Sequence, residues 1–237
     1  SAVKLEFSHV SNAGGAMKSY GELPERVREL LANLHGGIAL EVEYASDHVQ
    51  PGKRLLMVGS GPGGFARYAA WCFEASELIM GDSQVPPDEF EPFCPESYHQ
   101  IDVMTAEFVD LMRGKADIIL SFMLTHELAD PEKGLTNILS VLPKEVSSFA
   151  WFLDLSAYRW RKQDEDYPSG VPEEYLEHVR LDLENVKRHC LDDQDHVYGI
   201  YERAIRTTGH EKRTWQIVNG GYNHVQDIYE VTVGHFR

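Results

Sequence analysis

Gly59-Ser-Gly-Pro-Gly-Gly64 puts four glycines among six residues, a composition suited to lying beneath a bound group. Without a Cβ, the backbone passes close under a ligand where any side chain would collide. Leu55-Leu-Met-Val58 before the run has the apolar character of a buried strand, and Ala66 to Phe73 after it reads as a helix. A strand, a glycine turn and a helix in that order aim free backbone N–H groups and the positive helix end at one place. The chemistry this suits is binding of a nucleotide or nucleoside-bearing cofactor. Gly59, Ser60, Gly61 and Gly63 are the candidate contacts, and a merely tight connection is the plain alternative.

Three further positions fall where such a cofactor needs partners. Asp82 ends the short run Glu77-Leu-Ile-Met-Gly-Asp82, about twenty residues past the glycines, where a carboxylate takes ribose hydroxyls. Ser83 follows it; the plain reading of Asp82 is a turn or helix-capping residue. Asp102 and Val103 close the run Tyr98-His-Gln-Ile-Asp-Val. Ser121 and Phe122 end Ala116-Asp-Ile-Ile-Leu-Ser-Phe122, and His126 comes just after. An imidazole there, at the carboxyl edge of a sheet, is placed to accept a proton near neutral pH. Its plain reading is a packing residue, and Glu127 is the lesser candidate. Tyr20, Tyr158, Tyr222 and His224 lie in segments able to cover a pocket or to be simple surface.

These residues need a frame. Val27, Leu30, Leu31 and Leu34 predict a helix over Leu23–Leu34, and a second spans Ile38 to Val49. Five strands follow, at about 55–58, 77–82, 98–103, 116–122 and 148–154, with a helix opened by Asp130 and Pro131 before the fifth. Prolines 86, 87, 92 and 95 make the connection after the second strand irregular. Residues 163–174 form an acidic loop or lid, and helices cover Glu173–Cys190 and about His196–Thr208. Strands Arg213–Asn219 and Asp227–Phe236 close the chain as an antiparallel pair. Alternating strand and helix predict an α/β, Rossmann-like, doubly wound sheet, mostly parallel, with helices on both sides. A single domain is expected: a helical cap over 1–50, and a core over 51–237 with a lid insertion near 157–172.

Composition narrows the function. The 237 residues carry a net charge of −16, which argues against nucleic acid, since phosphates need Lys and Arg. Three widely spaced cysteines suggest a reducing compartment without disulfides and spell no zinc pair. No apolar run reaches membrane length and no signal peptide is read, so the expected location is cytoplasmic without membrane attachment. Oligomeric state cannot be read from the residues.

Taken together, these segments resemble the class I S-adenosylmethionine-dependent methyltransferases, from about Pro51 to Asp154 and more loosely through the closing hairpin. The resemblance implies a seven-stranded sheet with an antiparallel last strand and S-adenosyl-L-methionine as cofactor. Gly59-Ser-Gly-Pro-Gly63 is similar to the turn that cradles the methionine portion, Asp82 to the ribose acid, and Asp102-Val103 to the pair beside the adenine. Asp117 to Asp130 is similar to the fourth strand and the loop facing the reacting methyl. Two features depart from the pattern: Met57 stands where the family usually has an acid, and the proline-rich segment replaces a helix. The expected function is methyl transfer to a small-molecule acceptor at O or N, with His126 as base.

Other readings stay open at this level. Gly59, Gly61 and Gly64 also satisfy a dinucleotide fingerprint, and Tyr158-Arg-Trp-Arg-Lys162 has the Tyr-x-x-x-Lys spacing of short-chain dehydrogenases. A NAD(P)-dependent dehydrogenase of that kind would have a serine twelve to fourteen positions before Tyr158, where this chain has Lys144, Glu145 and Val146. His189-Cys-Leu-Asp-Asp-Gln-Asp-His196 has metal-ligand residue types without a standard spacing, so no metal is expected. A non-catalytic cofactor-binding or scaffold protein of the same fold is the third alternative.

Overall fold

Leu55, Leu56, Met57 and Val58 are all buried, which makes strand β1 (Arg54–Val58) the middle of a sheet covered on both faces. A computed structural model describes residues 49–61, 63–84, 98–122, 124–144, 148–153, 173–191, 193–210 and 228–231. After β1 come α1 (Gly64–Cys72), β2 (Glu77–Asp82), β3 (Tyr98–Gln100), α2 (Ala106–Met112) and β4 (Ile118–Phe122). A 3₁₀ turn (Thr125–Glu127), α3 (Pro131–Val141), β5 (Phe149–Leu153), α4 (Glu173–Arg188), α5 (Gln194–Thr208) and β6 (Ile228–Val231) follow.

The described strands form one six-stranded sheet in the order β3-β2-β1-β4-β5-β6. β3, β2, β1, β4 and β5 run parallel, and β6 runs antiparallel beside β5. The chain builds outward from β1 to β3, then returns to lay β4 on the other side of β1. That reversal opens a crevice at the carboxyl ends of β1 and β4, where open α/β sheets bind ligands.

Alternation along the strands feeds two apolar layers. Leu56, Val58 and Ile119 join Phe108 and Met112 of α2, Leu135, Ile138 and Leu139 of α3, and Val197, Tyr201 and Ala204 of α5. Leu55, Met57, Leu78 and Met80 are equally buried but outside that cluster; their layer is the one beneath α1, whose Ala66, Tyr68, Ala69 and Ala70 are buried too. A core side chain such as Phe108 contributes about 3–5 kcal/mol against truncation to Ala.

Local chemistry sets the helix starts. Asp130 Oδ1 accepts the Lys133 N–H at 3.0 Å with Pro131 in the first turn, as the sequence implies. Thr105 Oγ1 accepts the Phe108 N–H at 3.3 Å and opens α2, a helix absent from the sequence expectation. Asp193 Oδ1 caps α5 through the Asp195 and His196 N–H groups, at 3.0 and 3.2 Å, so that helix begins at Gln194 rather than His196. The third strand stops at Gln100, shorter than expected, because Asp102 turns the chain. Its Oδ1 accepts from Met104 N–H at 2.8 Å, and its carbonyl accepts from Thr105 N–H at 3.0 Å.

At the amino edge of the sheet, far from the crevice, Arg54 and Asp117 lock β1 to β4. The guanidinium donates from Nε at 3.1 Å and from Nη2 at 2.8 Å to the two carboxylate oxygens. The Arg54 backbone N–H adds a bond to Oδ2 at 3.0 Å. These bonds, Arg54's above all, hold the Asp117 carboxyl below its ordinary range despite partial burial.

The helices expected within the first 48 residues, the proline-rich segment 86–95, the lid near 157–172 and the strand at 213–219 lie outside the described residues. So do Tyr20, Tyr158, Tyr222, His224 and Cys94. No described helix is long and apolar enough to cross a membrane.

Candidate active site

β1 delivers its last residue to the crevice and the chain then folds back on β2. The N–H groups of Gly59 and Ser60 both donate to the Gly81 carbonyl, at 2.8 and 3.2 Å. The Gly61 N–H donates to Asp82 Oδ2 at 2.8 Å, and the Gly63 N–H to the Ser60 carbonyl at 3.0 Å. The turn is therefore stitched to the end of the neighbouring strand. This corrects the expectation of free amides there: left-handed backbone at Gly59 (φ 64°) and Gly61 (φ 50°) swings those N–H groups toward β2. A Cβ built on Gly61 would meet no described atom within 4 Å beyond its chain neighbours, so the space beside its Cα is open.

Asp82 is half-buried at the end of β2. Its second oxygen, Oδ1, accepts the Gln84 N–H at 2.9 Å. Two strong N–H donors thus fix the carboxylate plane, and a carboxylate with about four lone-pair sites keeps two for another partner. Ser83 is exposed beside it.

The loop after β4 closes on the same turn. A Cβ at Gly59 would stand 3.0–3.3 Å from the side chain of Leu124, so only glycine allows the two loops this approach. Next comes the 3₁₀ turn carrying His126, which is 3 % exposed, with Nε2 3.3 Å from Glu127 Oε1. Thr125 is tied to helix α5, its Oγ1 lying 3.4 Å from the Tyr201 hydroxyl. Ser121 occupies the end of β4 opposite Val58 of β1; its hydroxyl is buried with no hydrogen-bond partner among the described residues. Phe122 pairs with Leu153 of β5 through the backbone.

Asp102 and Val103 lie on the loop after β3. The Asp102 carboxylate is exposed, with Oδ1 engaged by Met104. Val103 is buried, and its carbonyl accepts from Asn137 Nδ2 at 2.8 Å, which anchors this loop to α3.

Three participants were not anticipated. Gly81 supplies the carbonyl that takes two turn amides. Leu124 is the loop-to-loop contact. Tyr98 donates its phenol to the Gln84 carbonyl at 2.6 Å, and its hydroxyl is pushed up to about 12 by burial and then by the charge of Asp82, the Ser60 hydroxyl pulling the other way. The Gly-Asp dipeptide at the end of an apolar run was the available signal for Gly81; Tyr98, a strand residue by sequence, carried none. Among the described residues no group of three or more His, Cys, Asp or Glu could hold a metal ion.

No protein-family model matches the chain, and no curated protein does. Solved structures do. A complex of the Haloferax volcanii Trm112 methyltransferase activator with a methyltransferase aligns with a TM-score of 0.56 at 13% identity, over 90% of this chain and 95% of that one. A SAM-dependent methyltransferase from Aquifex aeolicus aligns with a TM-score of 0.50 at 16% identity, over 89% and 98%. The chain has the class I methyltransferase fold. With this methyltransferase fold in place, the glycine turn, Asp82 and the loop after β4 fall on the carboxyl edge of the first, second and fourth strands. The chain spans about a third of the length of the Haemonchus contortus phosphoethanolamine N-methyltransferase 2, matching 36% of it with 70% of its own residues at 18% identity and a TM-score of 0.48.

Proposed function

We propose that the chain is an S-adenosylmethionine-dependent methyltransferase acting on a small-molecule acceptor at O or N. One observation carries the reading: a left-handed glycine turn pinned by Asp82 beside open space, at the reversal point of a parallel sheet. The residues present fit the cofactor. The bare Gly61 gives a floor that a side chain would fill, Asp82 keeps two lone-pair sites for a ribose diol, and the buried Ser121 hydroxyl offers a polar contact. Gly59, Ser60, Gly61 and Gly63 would underlie the methionine portion, Asp82 and Ser83 the ribose, Asp102 and Val103 the adenine, with Ser121 and Phe122 beneath the transfer site.

When bound, the cofactor supplies an already activated methyl group. The protein's part is then placement, because holding an acceptor in line converts a bimolecular step into a local one. His126 would take the proton of an acceptor hydroxyl or amine, with Glu127 at ion-pair distance favouring the protonated ring that results. The cap over 1–50 and the segment near 157–172 would exclude water from the transfer. The complete sheet in this reading has seven strands with the last antiparallel, in one domain. The net charge of −16 supports a small acceptor over nucleic acid, in a cytoplasmic setting.

The test is incubation with methyl-labelled S-adenosylmethionine and a panel of phenolic, carboxylic and amine small molecules, with RNA and DNA as controls. Label on a small acceptor is expected. Label on nucleic acid alone, or none on any acceptor, would overturn the assignment of substrate class.

A further inference from the structure

Asp82 stands at the corner where β2 gives way to a loop beside β3. β3 is the outermost of the described strands and three residues long. Past Asp82 the chain leaves the sheet through Ser83 and Gln84, both exposed. Yet this corner fixes a carboxylate by two N–H donors on opposite sides, Gly61 from the glycine turn and Gln84 from the loop. The Gln84 N–H can hold its direction only if the peptide planes around Gln84 are themselves held.

We propose that Tyr98 is a positioning residue for Asp82, clamping the Gln84 backbone so that the carboxylate stays pointed at the glycine turn. The phenol donates to the Gln84 carbonyl at 2.6 Å, at the short end for an O–H···O bond. Tyr98 itself is set by its register opposite Met80 of β2. Gln100, also on β3, reaches the same loop through a longer bond from Nε2 to the Ser83 carbonyl at 3.4 Å. The Asp82 carbonyl accepts the Ile101 N–H at 2.6 Å. Ile101, Gln100 and Tyr98 thus grip residues 82, 83 and 84 in turn, the hydroxyl of Tyr98 reaching farthest along the loop. Burial and the nearby Asp82 charge raise that hydroxyl above the ordinary phenol range, so it is a donor at neutral pH.

The consequence for ligands rests on the cofactor reading above: a carboxylate already aimed loses less freedom on taking a diol. Removing the phenol hydroxyl deletes one neutral hydrogen bond and leaves the ring packing. A net bond of about 1 kcal/mol converts to roughly a five-fold change, so Tyr98→Phe should weaken S-adenosylhomocysteine binding by about three- to ten-fold.

Amide hydrogen exchange of the ligand-free protein, with calorimetric titration of S-adenosylhomocysteine into Tyr98→Phe, Asp82→Ala and the double variant, tests this. Expected are faster exchange at Gly61 and Gln84 in Tyr98→Phe, with the Leu56 amide in β1 unchanged. On the Asp82→Ala background, Tyr98→Phe should cost no further affinity, because it acts through the missing carboxylate. Unchanged exchange at Gly61 and Gln84 would overturn the proposal, as would additive losses of affinity or acceleration at Leu56 equal to that at Gly61. Should wild type bind no S-adenosylhomocysteine, the cofactor reading fails, and the exchange pattern alone still decides what Tyr98 does.

Discussion

The Gly61 N–H donates to Asp82 Oδ2 at 2.8 Å, so the turn after the first strand and the acid ending the second are one unit. Changing either partner alters both. Asp82→Ala removes the acceptor for the Gly61 and Gln84 amides and, in the proposed function, the ligand for a ribose diol. Hydrogen bonds to a charged group contribute about 1.5–3 kcal/mol each, so S-adenosylhomocysteine affinity should fall by at least about ten-fold. Calorimetry on the purified variant checks it, with equal affinity in wild type and variant as the contrary result.

Gly61→Ala separates ligand space from fold. The position is left-handed with φ 50°, where an L side chain costs about 1–2 kcal/mol, but beyond its chain neighbours the added methyl meets no described atom within 4 Å. A small drop in thermal midpoint should accompany a much larger loss of cofactor affinity. A loss of stability with affinity intact would mean that the space above Gly61 is not where the ligand lies.

His126→Ala should slow transfer to a methylated acceptor at least ten-fold while cofactor affinity stays within about two-fold, given the 10²–10⁴-fold contribution typical of a general base. His126→Gln, closer in size, distinguishes lost chemistry from the cavity left by a residue only 3 % exposed. Full turnover in both variants would remove His126 from the mechanism.

Asp117 gives a pH signature at the other end of the sheet. Its carboxyl is held below the ordinary value of 3.8, chiefly by Arg54. A depressed folded-state value means the unfolded chain binds the proton first, so this stabilisation is present above pH 3.8 and is lost as pH falls below it. Asp117→Asn should cost about 1–3 kcal/mol at neutral pH and give a shallower loss of stability in acid. Denaturant melts at pH 7, 4 and 3 would show it; parallel pH profiles for wild type and variant would contradict it.

Much of this was legible beforehand because the signals were local. Apolar runs such as Leu55–Val58 and Ile118–Leu120 could only be buried strands, Asp130-Pro131 could only start a helix, and glycines before a helix mark a close approach. The sheet order and the crevice between β1 and β4 follow from alternation and chain reversal. Helix α2 escaped because it spans only two turns, although Thr105 with Glu107 in the first turn and the apolar Phe108, Val109, Leu111 and Met112 mark it. The direction of the turn amides was equally hidden, since it depends on where the end of β2 lies. Tyr98 was out of reach for the same reason: its hydroxyl matters through a carbonyl fourteen residues away in sequence and adjacent only once β2 and β3 pair. The chain shares 13% and 16% identity with two methyltransferase structures that align with 90% and 89% of it, so local motifs and topology carried the reading rather than overall similarity.

Isothermal titration of S-adenosylhomocysteine into the full chain tests the central claim most directly. One-to-one binding, weakened in Asp82→Ala and in Gly61→Ala, is the predicted result. Absence of binding by a wild-type chain with a normal cooperative melt, or binding indifferent to both substitutions, would contradict it.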